Sequence, residues 1–155
     1  MVVAFVGHRK IDNWEEVKAR LTTCLNALIA EGADTFLFGS VGDFNLLCYE
    51  VVSELREVYP SIRRVYVRAD HDIVSDEYIE YLYNRYEDTF FPDEVLNAGA
   101  KSYVVRNQVM VKMCDVLVTH CDVNYVPPRR TKSGTKMAVS YAMQKKKRII
   151  NLFER

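Results

Sequence analysis

The sequence predicts an α/β protein of Rossmann-like type, with three layers (α/β/α) and a mainly parallel central sheet of about five strands. Short apolar runs alternate with longer stretches of helical period, which is typical of successive βαβ units around a parallel sheet. The short runs are rich in valine, phenylalanine and tyrosine, which favour strands. With 155 residues, the chain (1–155) is expected to form one domain that buries about two thirds of its surface.

The first strand and helix occupy the N-terminal residues. An apolar strand at 2–6 halts at Gly7, and a helix follows from about Asn13. Apolar residues at helical spacing form its predicted buried face: Val17, Leu21, Leu25 and Leu28. Gly32 is the candidate C-cap, because glycine accepts the left-handed conformation that ends many helices.

The second strand and helix repeat this arrangement. A strand at 35–38 ends at Gly39, and the next helix runs from near Asp43 to Pro60. Proline ends it because its ring blocks the helical hydrogen bond. A third strand, RRVYVRA, follows at 63–69.

The segment 70–100 differs from the rest because it is rich in acidic and aromatic residues. We predict a short helix from Ser75 to about Tyr83, then an irregular link through Pro92 to Gly99. An insertion of this length in a compact domain is usually functional or oligomeric. Its surplus of tyrosines fits a lid over a ligand and a subunit contact in a homo-oligomer equally well.

Regular structure resumes at Ser102, a candidate N-cap of a helix that ends near Cys114. The remaining elements are a strand at 115–121, a loop at 124–132, a helix at 133–146 and a strand at 148–153. The run KKKR at 145–148 lies at the end of the last helix, where cations compensate the helix dipole. We interpret it as a solvated cap rather than a nucleic-acid patch.

Composition limits the partners of the protein. Basic and acidic residues number 21 each, so the net charge is zero, and the overall charge creates no bias toward nucleic acid or an acidic membrane. Nucleic acid is therefore disfavoured as a partner. No apolar run approaches the ~20 residues of a membrane span and no signal peptide precedes the first strand, so a cytoplasmic protein without membrane contact is expected.

The cysteines do not indicate a metal site. Cys24, Cys48, Cys114 and Cys121 are scattered without CxxC spacing, so we interpret them as free, mostly buried thiols. His120 precedes Cys121, but successive strand residues point to opposite faces and are poorly placed to share an ion. No metal and no cofactor is predicted.

Glycine-bearing or basic turns follow several predicted strands. Ligands of open parallel sheets bind beyond the carboxyl ends of the strands, where the strand order reverses. The turn residues expected to bind a phosphorylated ligand are Gly7, His8, Arg9, Gly39, Ser40, Gly42, Asp43, Ser133, Gly134 and Thr135. Glycine lets backbone N–H groups approach a phosphate, and the following helix adds its positive pole. Simple chain reversal and an ordinary N-cap are the alternatives, and no Walker A or GxGxxG motif is present.

Arg106 is the sharpest candidate. In SYVVRNQVMVKMC it shares a helix face with Met110 and Met113, so it is expected to be at least partly buried and to need an anion. That anion is either a ligand phosphate or carboxylate held bidentately, or an internal acid such as Asp115. Asn107 is expected to orient a ribose or a backbone group.

These segments together resemble the SLOG superfamily (SMF/DprA–LOG), most of all its YpsA-like branch of small stand-alone bacterial proteins. The resemblance covers nearly the whole chain: a GHR turn after the first strand, a glycine-bearing turn before EVVSELREVYP, then RNQVMVKMCDVLV and SGTKMAVSYA. It implies a Rossmann-like domain that binds nucleotides or nucleotide-derived ligands.

The cytokinin-activating LOG enzymes of this superfamily carry RKxxM and PGGxGTxxE segments. Their arginine and final glutamate support cleavage of the N-glycosidic bond of a nucleoside monophosphate. The resemblance places Arg106 and Met110 at the arginine and methionine, and Gly134 and Thr135 at the phosphate. Ala138 stands at the glutamate position, and alanine can neither stabilise an oxocarbenium-like transition state nor activate water.

A LOG-type hydrolase is therefore disfavoured, and the catalytic residues are unknown. Asp43, Glu50 and His8 are the remaining candidates. Helix N-terminal charge explains Asp43 better than catalysis does, and Glu50 is better explained as an ordinary helix acid. His8, which titrates near neutral pH, has the simpler role of orienting a ligand.

Three hypotheses of function follow. The first is a protein that binds a nucleotide or nucleotide derivative, such as a phosphorylated nucleoside or nucleotide-sugar, as a sensor or ligand carrier. The second is an N-glycoside hydrolase or nucleoside transferase at the same site. The third is a DprA-like nucleic-acid-binding module, suggested by the superfamily and by Arg129, Arg130 and the run 145–148, although zero net charge counts against it.

Overall fold

The computed structural model describes residues 1–39, 41–127 and 133–154. Three residues singled out above, Ser40, Arg129 and Arg130, lie outside the described residues. The chain is organised around a six-stranded parallel sheet in the order β4-β3-β2-β1-β5-β6. The predicted α/β, Rossmann-like fold class is confirmed.

The described strands and helices alternate along the chain. The strands are β1 (Val2–Gly7), β2 (Thr35–Phe38), β3 (Arg63–Val67), β4 (Asp88–Phe90), β5 (Val116–His120) and β6 (Arg148–Asn151). The helices are α1 (Trp14–Ala30), α2 (Asp43–Val58), α3 (Asp76–Arg85), α4 (Asp93–Leu96), α5 (Ser102–Met113) and α6 (Gly134–Gln144), with a 3₁₀ turn at Gly99–Lys101. None of these helices is long and apolar enough to cross a membrane.

The core lies on both faces of the sheet, which explains why the central strands are apolar throughout. On one face α1 and α2 cover a cluster of phenylalanines: Phe5, Phe36, Phe38 and Phe44. On the other face Met110 and Val111 of α5 and Ala138 and Ala142 of α6 pack on Ala4, Val6 and Leu117. The small alanines let α6 lie close to the sheet.

The segment 70–100 is more regular than its composition indicates. Ser75 caps α3 by accepting a hydrogen bond from the Tyr78 backbone N–H at 3.2 Å. β4 pairs in parallel with β3, so the sheet has one strand more than predicted. With three residues, β4 is too short to show a strand period in the sequence. The Glu87 carboxylate anchors it, accepting 2.7 Å and 2.9 Å hydrogen bonds from the Arg64 guanidinium.

The strand order reverses between β1 and β5. The chain moves outward from β1 to β4 and then returns through α5 to place β5 beside β1. Gly7 and His120, the last residues of these two strands, are in register. The crevice that binds ligands in open parallel sheets lies beyond this point.

Candidate functional site

The loops after β1 and β2 form one unit at the carboxyl edge of the sheet. The Asp43 backbone N–H donates to the Arg9 carbonyl oxygen at 2.8 Å, and Asp43 Oδ2 accepts from the Ile11 backbone N–H at 2.9 Å. The structure therefore brings Arg9 and Asp43 together, as the sequence predicts for two residues that follow neighbouring strands.

Three of the predicted glycines are required by close packing. A Cβ on Gly7 would lie 2.2 Å from the Phe44 ring, and one on Gly42 would lie 2.6 Å from the Arg9 Cα. A Cβ on Gly39 would lie 2.7 Å from Cδ of Arg106, so this glycine makes room for the arginine. The packing explanation therefore accounts for all three glycines whether or not a ligand is bound.

The loop after β5 joins the same edge through His8. The Asp122 backbone N–H donates to His8 Nε2 at 2.8 Å, and the His8 backbone N–H donates to the His120 carbonyl at 3.1 Å. Burial lowers the pKa of the His8 imidazole, although Asp122 opposes the shift. A neutral imidazole that accepts at Nε2 has no proton there to donate, which fits an orienting role better than a general acid.

Arg106 lies under the ends of β2 and β3. Its guanidinium donates through Nη1 to the carbonyl oxygens of Gly39 and Val67, and through Nε to Oδ1 of Asn107 at 3.0 Å. The Tyr103 ring lies 5.4 Å from the guanidinium carbon. The side chain is thus held at the carboxyl edge, and Asn107 orients the arginine itself.

No carboxylate within the described residues forms an ion pair with Arg106, which is only 3% exposed. Burial lowers its pKa, partly offset by Tyr66, Tyr103 and Asp70 nearby. The internal acid considered from the sequence, Asp115, instead accepts from the Val2 backbone N–H at 2.7 Å. Met113, predicted to share the buried face of Arg106, is 44% exposed.

Two other arginines, one buried and one partly buried, each pair with a carboxylate. Arg68 is 6% exposed and its Nε donates to Asp70 Oδ1 at 3.2 Å. Arg64 pairs with Glu87 at 2.7 Å. A buried charge normally needs such a partner because desolvation is costly. Arg106 differs from both because no carboxylate of the described residues pairs with it.

The candidate catalytic carboxylates have structural contacts. Asp43 accepts the hydrogen bond from Ile11 described above. Glu50 pairs with Lys18 of α1 at 2.9 Å and is exposed. Ala138 is buried against the sheet. The described contacts of Asp43 and Glu50 thus agree with the non-catalytic explanations of these residues.

The predicted phosphate-binding residues Ser133, Gly134 and Thr135 lie at the start of α6. Ser133 caps the helix by accepting from the Lys136 backbone N–H at 3.2 Å, and Thr135 is buried. A Cβ on Gly134 would meet no atom of the described residues within 4 Å, so packing within the described structure does not explain this glycine. A cavity of about 470 Å³ opens between α5 and α6 beside Ser133 and Lys136.

A second cavity, of about 390 Å³, lies between α2 and α3 and reaches Gly42 and Asp43. The aromatic and polar side chains that line it were missed as site residues: Asn45, Tyr66, Tyr78, Tyr81, Arg85 and Tyr86. The surplus of tyrosines in 70–100 was the available signal, but the sequence did not show that they face the turn at Gly42.

His120 is expected to make folding stability depend on pH. Its ring stacks on Phe44 with centroids 5.9 Å apart, and its Nδ1 has no hydrogen-bond partner within the described part of the chain. Burial lowers its pKa below the ordinary 6.5, with His8 and Arg20 acting in the same direction. The unfolded chain then binds a proton more readily than the folded chain, so stability falls as pH drops from 6.5 through the folded value.

We therefore expect the urea midpoint to decrease between about pH 7 and pH 5. His120→Phe should reduce this dependence while retaining the stacking on Phe44, with His8 as a remaining source. A wild-type midpoint that stays constant over this range, or a variant with the full wild-type dependence, would contradict the assignment.

No family model and no curated protein matches the chain. Among solved structures, the fold is similar to that of DNA processing protein A from Helicobacter pylori, reported with a unique single-stranded DNA binding mode. The TM-score is 0.63 and the sequence identity 17%, over 100% of this chain and 66% of that protein. The chain therefore spans slightly less than two thirds of that relative, and at this identity the likeness concerns the fold.

This comparison corrects one expectation from the sequence. Nucleic acid was disfavoured as a partner because the net charge is zero. That inference was wrong, since a protein with the same fold binds single-stranded DNA. Net charge averages over the whole surface and does not report the potential at one edge of a sheet.

Proposed function

We propose that this domain binds single-stranded nucleic acid across the carboxyl edge of its sheet, with Arg106 neutralising a phosphate. One observation carries the proposal: a buried guanidinium at the ends of β2 and β3 has no carboxylate partner within the described residues. Its described hydrogen bonds, through Nη1 and Nε, go to neutral oxygens, and Asp70 acts on its charge from a distance without forming an ion pair. A phosphate would supply the missing anion.

Further positive groups lie at the same edge. Arg9 and Lys10 are exposed in the loop after β1, and Lys136 lies in the first turn of α6. Exposed cations that follow the nucleic-acid backbone are typical of proteins that bind single strands without sequence preference. The similarity in fold to a protein that binds single-stranded DNA supports this choice of ligand.

A nucleotide or nucleotide derivative is the second candidate. The cavity of about 390 Å³ beside Gly42 falls within the range of small-molecule sites, ~300–1,000 Å³. A YpsA-like member of the SLOG superfamily that senses or carries such a ligand would use the same edge. The two candidates share a phosphate at Arg106 and differ in the number of phosphates bound.

We place this activity in the cytoplasm. All four cysteines are free, and three of them are buried. Free thiols persist in a reducing compartment and tend to be oxidised outside it.

Fluorescence anisotropy with a labelled single-stranded oligonucleotide tests the proposal. We expect saturable binding that weakens between about 50 and 200 mM salt. A plot of log K against the logarithm of the salt concentration should have a slope of about −0.7 for each phosphate neutralised. The absence of saturable binding at low salt would overturn the proposal. Nucleoside monophosphates that compete as strongly as the oligonucleotide would favour the second candidate.

A further inference from the structure

The cavity between α2 and α3 presents aromatic rings to solvent. Tyr81 is 52% exposed, and its ring is nearly parallel to that of Tyr78, with an angle of 19° and a centroid separation of 6.3 Å. The Arg85 guanidinium lies 5.4 Å from the Tyr81 centroid and 4.7 Å from that of Tyr49. The Arg85 cation thus helps to hold the Tyr81 ring in place, and a fixed, open ring is a platform for stacking by another flat ring.

The rim of the cavity is apolar and uncovered. Val41 and Leu46 line it and are 57% and 56% exposed. Together with Tyr81 they form an exposed apolar patch at the mouth of a concave site, which is the usual sign of a binding surface.

The cavity also has a polar group without a hydrogen bond to any described residue. Asn45 lines it, and its Oδ1 is buried with no partner within the described residues. Such atoms are rare because an unpaired buried acceptor is costly. Rotation of the amide would offer a donor and an acceptor side by side, which matches the edge of a nucleobase.

The cavity lies close to the proposed phosphate site. Gly42 and Asp43 belong to its lining and to the turn after β2, while Arg106 donates to Gly39 at the start of that turn. Tyr66 lines the cavity and lies close enough to Arg106 to raise its pKa. A group bound at the turn therefore has the cavity as its immediate neighbour.

We propose that this tyrosine-lined cavity receives a nucleobase, stacked on Tyr81, from the ligand whose phosphate lies at Arg106. The inference rests on the proposed function, which gives a place to the phosphate of the ligand, and it adds a place for the base. A base within an oligonucleotide and a base of a free nucleotide share this chemistry, so the test has an arm for each.

The test uses a single-stranded oligonucleotide that contains one 2-aminopurine, whose emission is quenched when it stacks. We expect the wild-type protein to quench it, and Tyr81→Ala to lose the quenching and about 10-fold in affinity. Tyr81→Phe should retain both. Tyr83→Ala is the matched control, because Tyr83 lies on the same helix with 53% exposure but outside the cavity lining. Adenosine monophosphate replaces the oligonucleotide in the second arm.

The outcomes separate the two proposals. If the oligonucleotide binds and Tyr81→Ala behaves like Tyr83→Ala, the base cavity is overturned while the proposed function stands. If only adenosine monophosphate binds and its affinity depends on Tyr81, the cavity stands and the single-stranded ligand is overturned. If neither probe binds, both proposals fail.

Discussion

Arg106→Gln is expected to lower the affinity for single-stranded DNA about 10- to 100-fold, since a hydrogen bond to a charged group contributes about 1.5–3 kcal/mol. The protein should remain folded. The substitution removes a buried charge that has no carboxylate partner in the described structure, and this gain offsets part of the hydrogen bonds lost at Gly39 and Val67. The DNA affinity of Arg106→Lys should lie between those of the wild type and Arg106→Gln, because lysine keeps the charge and lacks the planar guanidinium.

Arg64→Gln is the matched control. Arg64 is also a partly buried arginine, but it pairs with Glu87 at 2.7 Å beside β4. Its removal should lower the free energy of unfolding by leaving the Glu87 carboxylate without its main partner, and it should leave DNA affinity unchanged. The two arginines thus predict opposite patterns in urea denaturation and in anisotropy. Wild-type affinity and salt dependence in Arg106→Gln would refute the role of Arg106.

The contrast between these arginines shows where sequence reasoning reaches its limit. Helical spacing correctly indicated that Arg106 is buried, because Met110 at i+4 is an apolar core residue. Spacing does not identify the partner of a buried cation, which depends on contacts between distant segments. Arg106 contacts Gly39, 67 residues away in the sequence, and only the packed structure shows that no carboxylate of the described residues pairs with it.

The fold was easier to predict than the site for a physical reason. Alternation of strand and helix periods is local, and the long central strands are buried on both faces, so their composition alone identifies them. β4 was missed because three residues carry too little periodicity. The tyrosines of 70–100 were noticed, but their two interpretations depend on which surface α3 covers, and no local pattern encodes that.

The turns at the carboxyl edge were predicted from their glycines, and the structure gives each glycine a different reason. Gly7 accommodates Phe44 and Gly39 accommodates Arg106, whereas a Cβ on Gly134 would meet no atom of the described residues within 4 Å. A glycine motif read from sequence therefore combines packing, backbone conformation and ligand approach. Substitutions can separate these contributions, and Gly42 is the position with the largest expected effect.

Gly42→Ala is expected to lower the free energy of unfolding by about 2 kcal/mol or more. The residue has φ +106° and ψ −172°, a region that is essentially restricted to glycine. A Cβ would in addition lie 2.6 Å from the Arg9 Cα, which is backbone and cannot rotate away. The loops after β1 and β2 must then separate, and the hydrogen bond from the Asp43 N–H to the Arg9 carbonyl is lost.

Gly32→Ala tests the effect of a positive φ without the contact to the loop after β1. Gly32 has a similar φ of +110°, and a Cβ there would meet no atom of the described part of the chain within 4 Å. We expect a loss of about 1 kcal/mol from backbone strain alone, with unchanged DNA affinity. Urea denaturation and anisotropy on both variants measure the difference, which reflects the contact between the two loops together with the restrictive ψ of Gly42. Because that contact positions the turn beside Arg106 and the tyrosine-lined cavity, Gly42→Ala should also weaken DNA binding. Equal losses of stability in the two variants, with wild-type DNA affinity in both, would show that the turns do not form one site.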